Sequence, residues 1–183
     1  DGSSMLVIGR PSSVTEGPDA GWTVTRLTRV DASTLEAPVI TSTVDVQGRI
    51  VASRSIGGTA RLVIKTNILP ALSKKVQPLD NLTAVAEFVA ALPGEAWAPT
   101  YTLRRFPVGG GEPTVTTAPL ASCARTYRPR AFAGWSITTV LSLPVGEAGA
   151  VGDFGAGAAV PGGVAVVSGP GNVYASTNSV YVT

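Results

Sequence analysis

The chain has 183 residues and a mass of 18.6 kDa, carries a formal net charge of +2, and is charged at only 14% of its positions. It contains no histidine and one cysteine, so neither Ser-His-Asp nor Cys-His catalysis can be assembled from this chain alone, and we expect no metal and no cofactor. It has no apolar run near the roughly 20 residues that span a bilayer and no basic block typical of a nucleic-acid-binding protein.

The first third of the chain predicts short strands joined by tight turns. Abundant Val and Thr with frequent Gly and Pro breaks favour β-structure, and the side chains from Trp22 to Val30 alternate between two faces over nine residues. Consecutive strands with short connections pair antiparallel. The predicted strands cover residues 4–9, 22–30, 39–46, 49–54 and 60–66.

Residues 67–130 interrupt this strand pattern and are interpreted as an insertion. Within it, residues 80–92 place Leu82, Val85 and Val89 on one stripe, which predicts a helix. Asp80 or Asn81 can cap its start, and a Pro-Gly step at residues 93–94 ends it.

Residues 131–183 resume the strand pattern and repeat the earlier elements. The Gly-Trp step at 134–135 repeats the one at 21–22, and strands are predicted over 135–143 and 163–168. The hairpin predicted over 173–183 repeats the hairpin of residues 50–66. Internal similarity in a constant element order is the mark of a repeat architecture.

The element order matches antiparallel four-stranded blades, whose strands we label A to D from the inside outward. Residues 4–46 then supply strands B, C and D of one blade. The hairpin of residues 49–66 and the strands of 135–168 supply A to D of the next, and 173–183 begins a third. The predicted fold is all-β: a partial β-propeller with one helix-containing insertion.

A further set of segments carries a resemblance to known proteins: Val24–Asp31 with Ala37-Pro38, Gly48–Arg54, Glu95–Tyr101, Cys123–Pro129 and Val173–Val182. Through these segments the chain resembles a family of secreted bacterial and archaeal proteins with a C-terminal β-propeller domain. The resemblance implies a secreted or cell-surface propeller with an undefined molecular role, and it brings no catalytic residues to transfer.

About two blades are present, whereas a closed propeller has at least about four. We therefore expect the sheet edges to be completed by the remaining blades of the same protein, of which this chain is a fragment, or by another chain. A protein or polysaccharide ligand is the expected further partner, with no nucleic acid and no membrane span in this segment.

The candidate ligand-binding residues lie on the predicted innermost strands, which line the channel of a propeller. They are Arg49, Ser53, Arg54, Tyr174 and Ser176. The competing interpretation, favoured for Ser53 and Ser176, is that a repeated residue serves blade geometry.

The remaining reactive groups favour structural roles. Asp31, Asp45 and Asp153 lie near strand ends without the spacing of a catalytic pair, and Asp31 before Ser33 predicts an Asx turn. The recurring Trp22 and Trp135 predict packing between blades. Cys123 is expected to be a small buried hydrophobe, with a disulfide to a missing segment as the alternative.

Three functions are compatible with the sequence. The favoured one is a non-enzymatic extracellular or cell-surface scaffold that binds a protein or polysaccharide. The alternative is part of a propeller hydrolase or lyase whose catalytic residues lie mostly outside this chain. A third is an assembly role in which exposed strand edges accept strands from a partner.

Overall fold

The computed structural model describes residues 4–11, 22–56, 59–68, 98–131, 133–144, 163–168, 173–175 and 179–182, with a few isolated positions between 83 and 93. The helix predicted over residues 80–92 lies outside the continuously described residues and stays a prediction. The described chain is dominated by β-strands in two five-stranded sheets and one hairpin, which confirms the all-β prediction.

The first sheet contains the three strands predicted for the first blade. They are β1 (Ser4–Gly9), β2 (Val24–Asp31) and β3 (Val39–Gln47), and they pair antiparallel in chain order. Two further strands, β6 (Thr100–Arg105) and β7 (Thr114–Pro119), continue the sheet beyond β3.

The second sheet has the predicted A to D strands of one blade in the expected order. They are β4 (Arg49–Ile56), β5 (Thr59–Asn67), β9 (Ser136–Pro144) and β10 (Val164–Ser168). A short fifth strand, β8 (Thr126–Tyr127), pairs parallel with the outer edge of β10.

Both sheets are wider than the four strands A to D predicted for a blade. Strands β6 and β7 cover the edge of β3, and β8 covers the edge of β10. All three come from the 67–130 segment, so this segment widens both sheets. Their pairings satisfy backbone groups that an exposed edge would leave open.

The repeated hairpin is present at the end of the described chain. Strands β11 (Val173–Ala175) and β12 (Val180–Val182) pair antiparallel, and β11 lies beside β4. Because β4 and β11 are the predicted inner strands of consecutive blades, their proximity agrees with a shared channel.

The two sheets pack face to face through one apolar core. Strand alternation turns every second side chain of each sheet toward the other, and those on the central strands are almost fully buried. The core contains Leu27, Val44, Val46, Tyr101 and Leu103 from the first sheet, Ala60, Leu62, Ile64, Leu141 and Leu143 from the second, and Leu120 from the turn after β7.

The sheets are joined at Gly48, where strand β3 ends and β4 begins. Gly48 has φ of +132°, and its N–H donates to the Thr23 carbonyl oxygen at 2.6 Å. The hydroxyl groups of Thr25 and Thr66 donate to the carbonyl oxygens of Gly48 and Gln47. These hydrogen bonds fix the step from one blade to the next.

Thr139 and Thr66 give a matched test of the core, because both lie in the second sheet with at most 1% exposure. The Thr139 hydroxyl has no hydrogen-bond partner, whereas Thr66 Oγ1 donates to the Gln47 carbonyl at 2.6 Å. We expect Thr139→Val to stabilise the chain by up to about 1 kcal/mol and Thr66→Val to destabilise it by about 1–2 kcal/mol. Chemical denaturation measures the free energy of unfolding of both variants. Equal losses of stability would contradict a Thr139 hydroxyl that lacks a hydrogen-bond partner.

Candidate functional site

The candidate residues Arg49, Ser53 and Arg54 all lie on β4, the edge strand of the second sheet, and all three are exposed. Arg54 Nη1 donates to the Ser53 carbonyl oxygen at 3.0 Å. Tyr174 lies on β11, the strand beside β4, while Ser176 lies outside the described residues.

A bulge in β4 decides which face each candidate occupies. The pairing of β4 with β5 shifts register between Ile50 and Ala52, so Arg49 and Arg54 point to the same side although they are five residues apart. Ser53 points to the other side, opposite the core residue Leu62. The bulge therefore separates the arginines from the serine.

The arginines face two further cations across the hairpin. Arg49 lies directly opposite Lys65, and Arg54 lies directly opposite Arg61. Directly opposed side chains of an antiparallel pair lie about 5 Å apart on one face, and like charges there repel. We call the four residues, Arg49, Arg54, Arg61 and Lys65, the basic face.

Carboxylates do not neutralise the arginines of the basic face within the described part of the chain. The arginine ion pairs found there join Arg26 and Arg104 to Asp45, in the other sheet. The Nε–H of Arg61 is buried without a hydrogen-bond partner. The geometry thus concentrates positive charge and one unsatisfied donor on the inner strands.

A cavity of about 340 Å³ with mixed polar and apolar walls opens at one end of the basic face. Arg49 and Lys65 line it, and Trp22 lies at the same cavity, half-buried. The remaining walls come from Thr23, Gly48, Thr66, Asn67 and Ser136. Trp22, which was predicted to pack between blades, therefore lines this cavity. Trp135, for which the same role was predicted, is 44% exposed.

A groove of about 230 Å³ runs beside β1, on the other side of β4 and β5. Its walls are apolar on the sheet faces, with Leu6 and Ile8 from β1 and Leu62 from β5. The serines Ser53 and Ser55 of β4, which lie opposite the core-face residues Leu62 and Ala60, form its rim. Ser53 therefore lies in a groove between the sheets.

The described carboxylates nearest the strand ends serve structure. Asp45 is 1% exposed and accepts hydrogen bonds from Arg26 at 2.6 Å and Arg104 at 2.7 Å. Asp31 accepts the Ser33 backbone N–H at 2.9 Å, which confirms the predicted Asx turn. Asp153 lies outside the described residues.

The contribution of the Asx turn to the stability of the fold should decrease at low pH. The hydrogen bond from the Ser33 backbone N–H, followed by one from its side chain, lowers the pKa of Asp31. A carboxyl with a lowered pKa stabilises the fold above its ordinary pKa, and this contribution is lost as the pH falls.

Cys123 is exposed, so the expectation that it is buried was wrong. It lies in a short 3-10 turn, Cys123–Arg125, where no residue is buried. Its position borders an apolar cavity of about 200 Å³ whose walls include Ile137 and Ala165.

In the described residues there is no group of three or more His, Cys, Asp or Glu side chains that could hold a metal ion.

A family model described as the β-propeller domain matches residues 2–183. The chain belongs to the β-propeller domain family. No curated protein matches it, and no solved structure does. The family match and the two stacked sheets together support a propeller scaffold, and the two sheets described make up only part of a closed propeller.

Four of the five candidate residues lie on the strands predicted for them, Arg49, Ser53 and Arg54 on β4 and Tyr174 on β11, whereas the cations opposite the arginines were missed. Lys65 and Arg61 lie within the predicted strand of residues 60–66, and their even spacing from each other is a signal for a shared face. Their pairing with Arg49 and Arg54 depends on the bulge.

Within the described residues, no helix of this propeller chain has the length and apolar character to cross a membrane.

Proposed function

We propose that this chain is part of a non-enzymatic β-propeller that acts as a scaffold and binding module outside the cell or on its surface. The proposal is supported by the exposed cations of the inner strand and by the structural use of Asp31 and Asp45. Carboxylates that close a turn or neutralise arginines are not placed for acid–base chemistry.

The observation that carries the proposal is the open inner edge of β1. No described strand pairs with this edge, and Met5 and Ile8 on β1 are 51% and 40% exposed. The apolar groove beside it lies where an inner A strand of the first blade would run. A strand added there would bind through backbone hydrogen bonds and cover Leu6 and Ile8.

The proposed occupant of this edge is a strand from the remaining blades of the same protein or from another chain. Comparing Ile8→Asp in this chain alone and in the complete gene product tests it. We expect a loss within about 1 kcal/mol in the chain alone, because Ile8 is partly exposed there. In the complete protein the carboxylate would be buried beneath the added strand, and the loss should be larger by about 2 kcal/mol.

The matched control is Val108→Asp, because Val108 is fully exposed in a loop. Its effect on the free energy of unfolding should be small and equal in both proteins. If Ile8→Asp also has equal effects in the two proteins, no strand covers β1, and the scaffold proposal fails.

The proposed location has its own test. An antibody raised against the chain should label intact, unpermeabilised cells of the source organism, and external protease should remove the signal. Labelling that requires permeabilised cells would contradict a location outside the cell.

A further inference from the structure

We propose that the apolar cavity beside Cys123 binds a small carboxylate with an apolar body of about six to ten carbons, whose head group pairs with Arg128. This site goes beyond the scaffold role. Its described lining belongs to the outer strands of the second sheet and to the turns beside β6 and β7, and it shares no residue with β1 or β4.

The cavity lies between the two sheets, and its walls are held together without a ligand. Ile137 of β9 and Ala165 of β10 come from the second sheet, whereas Pro99 and Leu120 flank β6 and β7 of the first. The Leu120 N–H donates to the Pro99 carbonyl oxygen at 2.8 Å. Gly163, just before β10, lies so close to the Leu120 carbonyl that a Cβ there would overlap it. These contacts make the cavity a preformed site.

The cavity has the size and lining of a site for a small molecule. Its volume is about 200 Å³, and an apolar cavity of about 150 Å³ is enough to bind benzene. Ala98, Ala121 and Val167 line it and are half-buried, so they leave apolar surface that a ligand would remove from water. The cavity opens to solvent where Cys123 and Arg128 line it, because both residues are exposed. We call this opening the mouth.

Strand β8 places Arg128 on the cavity side of the second sheet. In the parallel pairing of β8 with β10, Thr126 lies directly opposite Ala165, a residue of the cavity wall. Side chains of an extended strand alternate between two faces, so Arg128 lies on the same side as Thr126. Thr126 Oγ1 donates to the Ser122 carbonyl oxygen at 2.9 Å, which ties β8 to the turn that carries Cys123. A guanidinium at the mouth of an apolar cavity favours a ligand with a negative charge at one end.

The segment around the mouth carries positive charge and no negative charge. Residues 120–131 contain Arg125, Arg128 and Arg130 but no Asp or Glu. In the described part of the chain, the ion pairs of arginine with a carboxylate lie on the first sheet. A ligand carboxylate would therefore meet a guanidinium that no described carboxylate neutralises, and this favours an acid over a neutral or basic ligand.

A series of straight-chain carboxylates tests the cavity with the purified 183-residue chain. Calorimetry measures the affinity for butanoate, hexanoate, octanoate, decanoate and dodecanoate. We expect the affinity to rise about threefold for each added methylene, because each one is removed from water. The rise should end at about ten carbons, where the cavity is filled. 1-Octanol has the body of octanoate without its charge and should bind at least about fivefold more weakly.

Cys123 reports whether the mouth is occupied, because it is the single cysteine of the chain and is exposed there. Saturating octanoate should slow the reaction of its thiol with iodoacetamide at least about fivefold, since a bound head group limits access to the sulfur. Acetate has the head group without the apolar body, and it should leave the rate unchanged at the same concentration.

Two matched pairs of variants separate the head-group contact from the apolar contact. Arg128→Gln and Arg130→Gln each remove one exposed positive charge, but only Arg128 lines the cavity. We expect Arg128→Gln to weaken octanoate binding about tenfold and Arg130→Gln less than about twofold. Ala121→Leu places a larger side chain in the cavity wall, whereas Ala124→Leu places it at an exposed position outside the cavity. Ala121→Leu should remove the gain in affinity from hexanoate to octanoate, and Ala124→Leu should keep it.

The outcomes decide this site independently of the scaffold role. An affinity that keeps rising through dodecanoate, equal binding of octanoate and 1-octanol, or equal effects within either pair of variants would overturn the proposal. If Ala121→Leu does not fold, the arginine pair decides by itself, since both arginines are exposed. An uncovered β1 edge would overturn the scaffold role and leave this site in place, and loss of this site would leave the scaffold role untouched.

Discussion

Replacing Asp45 with alanine should lower the stability of the chain by about 3 kcal/mol. Asp45 is buried on β3 between Arg26 and Arg104, whose side chains are 39% and 34% exposed. Removing the carboxylate leaves two guanidinium groups facing each other without a counter-charge. The expected loss of stability is at the lower end of the range of about 3–5 kcal/mol for breaking a buried ion pair. The reason is that both arginine side chains are partly exposed and can turn toward solvent.

Thermal and chemical denaturation measure this loss. For a chain of this length, about 3 kcal/mol corresponds to a fall in the melting temperature of about 6–12 °C. Asp31→Ala is the control, since Asp31 is an exposed carboxylate that closes only a local turn, and it should change stability far less. Equal effects would show that the Asp45 cluster does not hold the first sheet together.

Replacing Gly48 with alanine should destabilise the chain by about 4 kcal/mol. A Cβ at this position would lie 2.5 Å from Thr66 Oγ1 and 2.6 Å from Ile64 Cγ2. The φ of +132° adds backbone strain, because side-chain-bearing residues rarely adopt it. Steric overlap in a packed site and strain each contribute about 1–3 kcal/mol.

Two glycine controls separate these contributions. Gly109 has φ of +92°, but no atom lies within 4 Å of the place a Cβ would take, so Gly109→Ala reports backbone strain without overlap. Gly9 has neither feature, and Gly9→Ala should be close to neutral. We expect losses in the order Gly48, Gly109, Gly9, measured by the soluble fraction and by denaturation. A neutral Gly48→Ala would mean that the step between the sheets is looser than the structure shows.

Strand positions and blade order could be predicted because their signals are local. Alternating apolar residues located β2, and turn residues located the breaks on either side of β3 to β5. The repeated hairpin supplied the order of the strands within the second sheet. The change of sheet at Gly48 also followed, since an outer strand of one blade must lead to the inner strand of the next.

The strands that widen the sheets could not be predicted from the same signals. Strand β7 reads Thr-Val-Thr-Thr-Ala-Pro, is mostly exposed, and ends in a proline, so it lacks a buried alternating face. Strand β8 has only two residues. The partner of Asp45 in β6, Arg104, is 59 residues away in sequence. Long-range pairing of short edge strands leaves almost no local pattern.

The basic face was missed for a different reason. Arg49 and Arg54 are separated by an odd number of residues, which in a regular strand would place them on opposite faces. The bulge between Ile50 and Ala52 places both arginines on the same face. The β-branched and small residues around Val51 give no sequence signal for this bulge. The strand of the candidate site was therefore predictable, whereas its charge arrangement was not.

An experimental structure of the complete protein tests most directly whether the two sheets are consecutive propeller blades. We expect β4 and β11 to be neighbouring innermost strands around one channel, with β4, β5, β9 and β10 in order outward and an inner strand paired to β1. A structure in which β11 and β12 pack away from β4, or in which the edge of β1 faces solvent, would contradict the propeller arrangement.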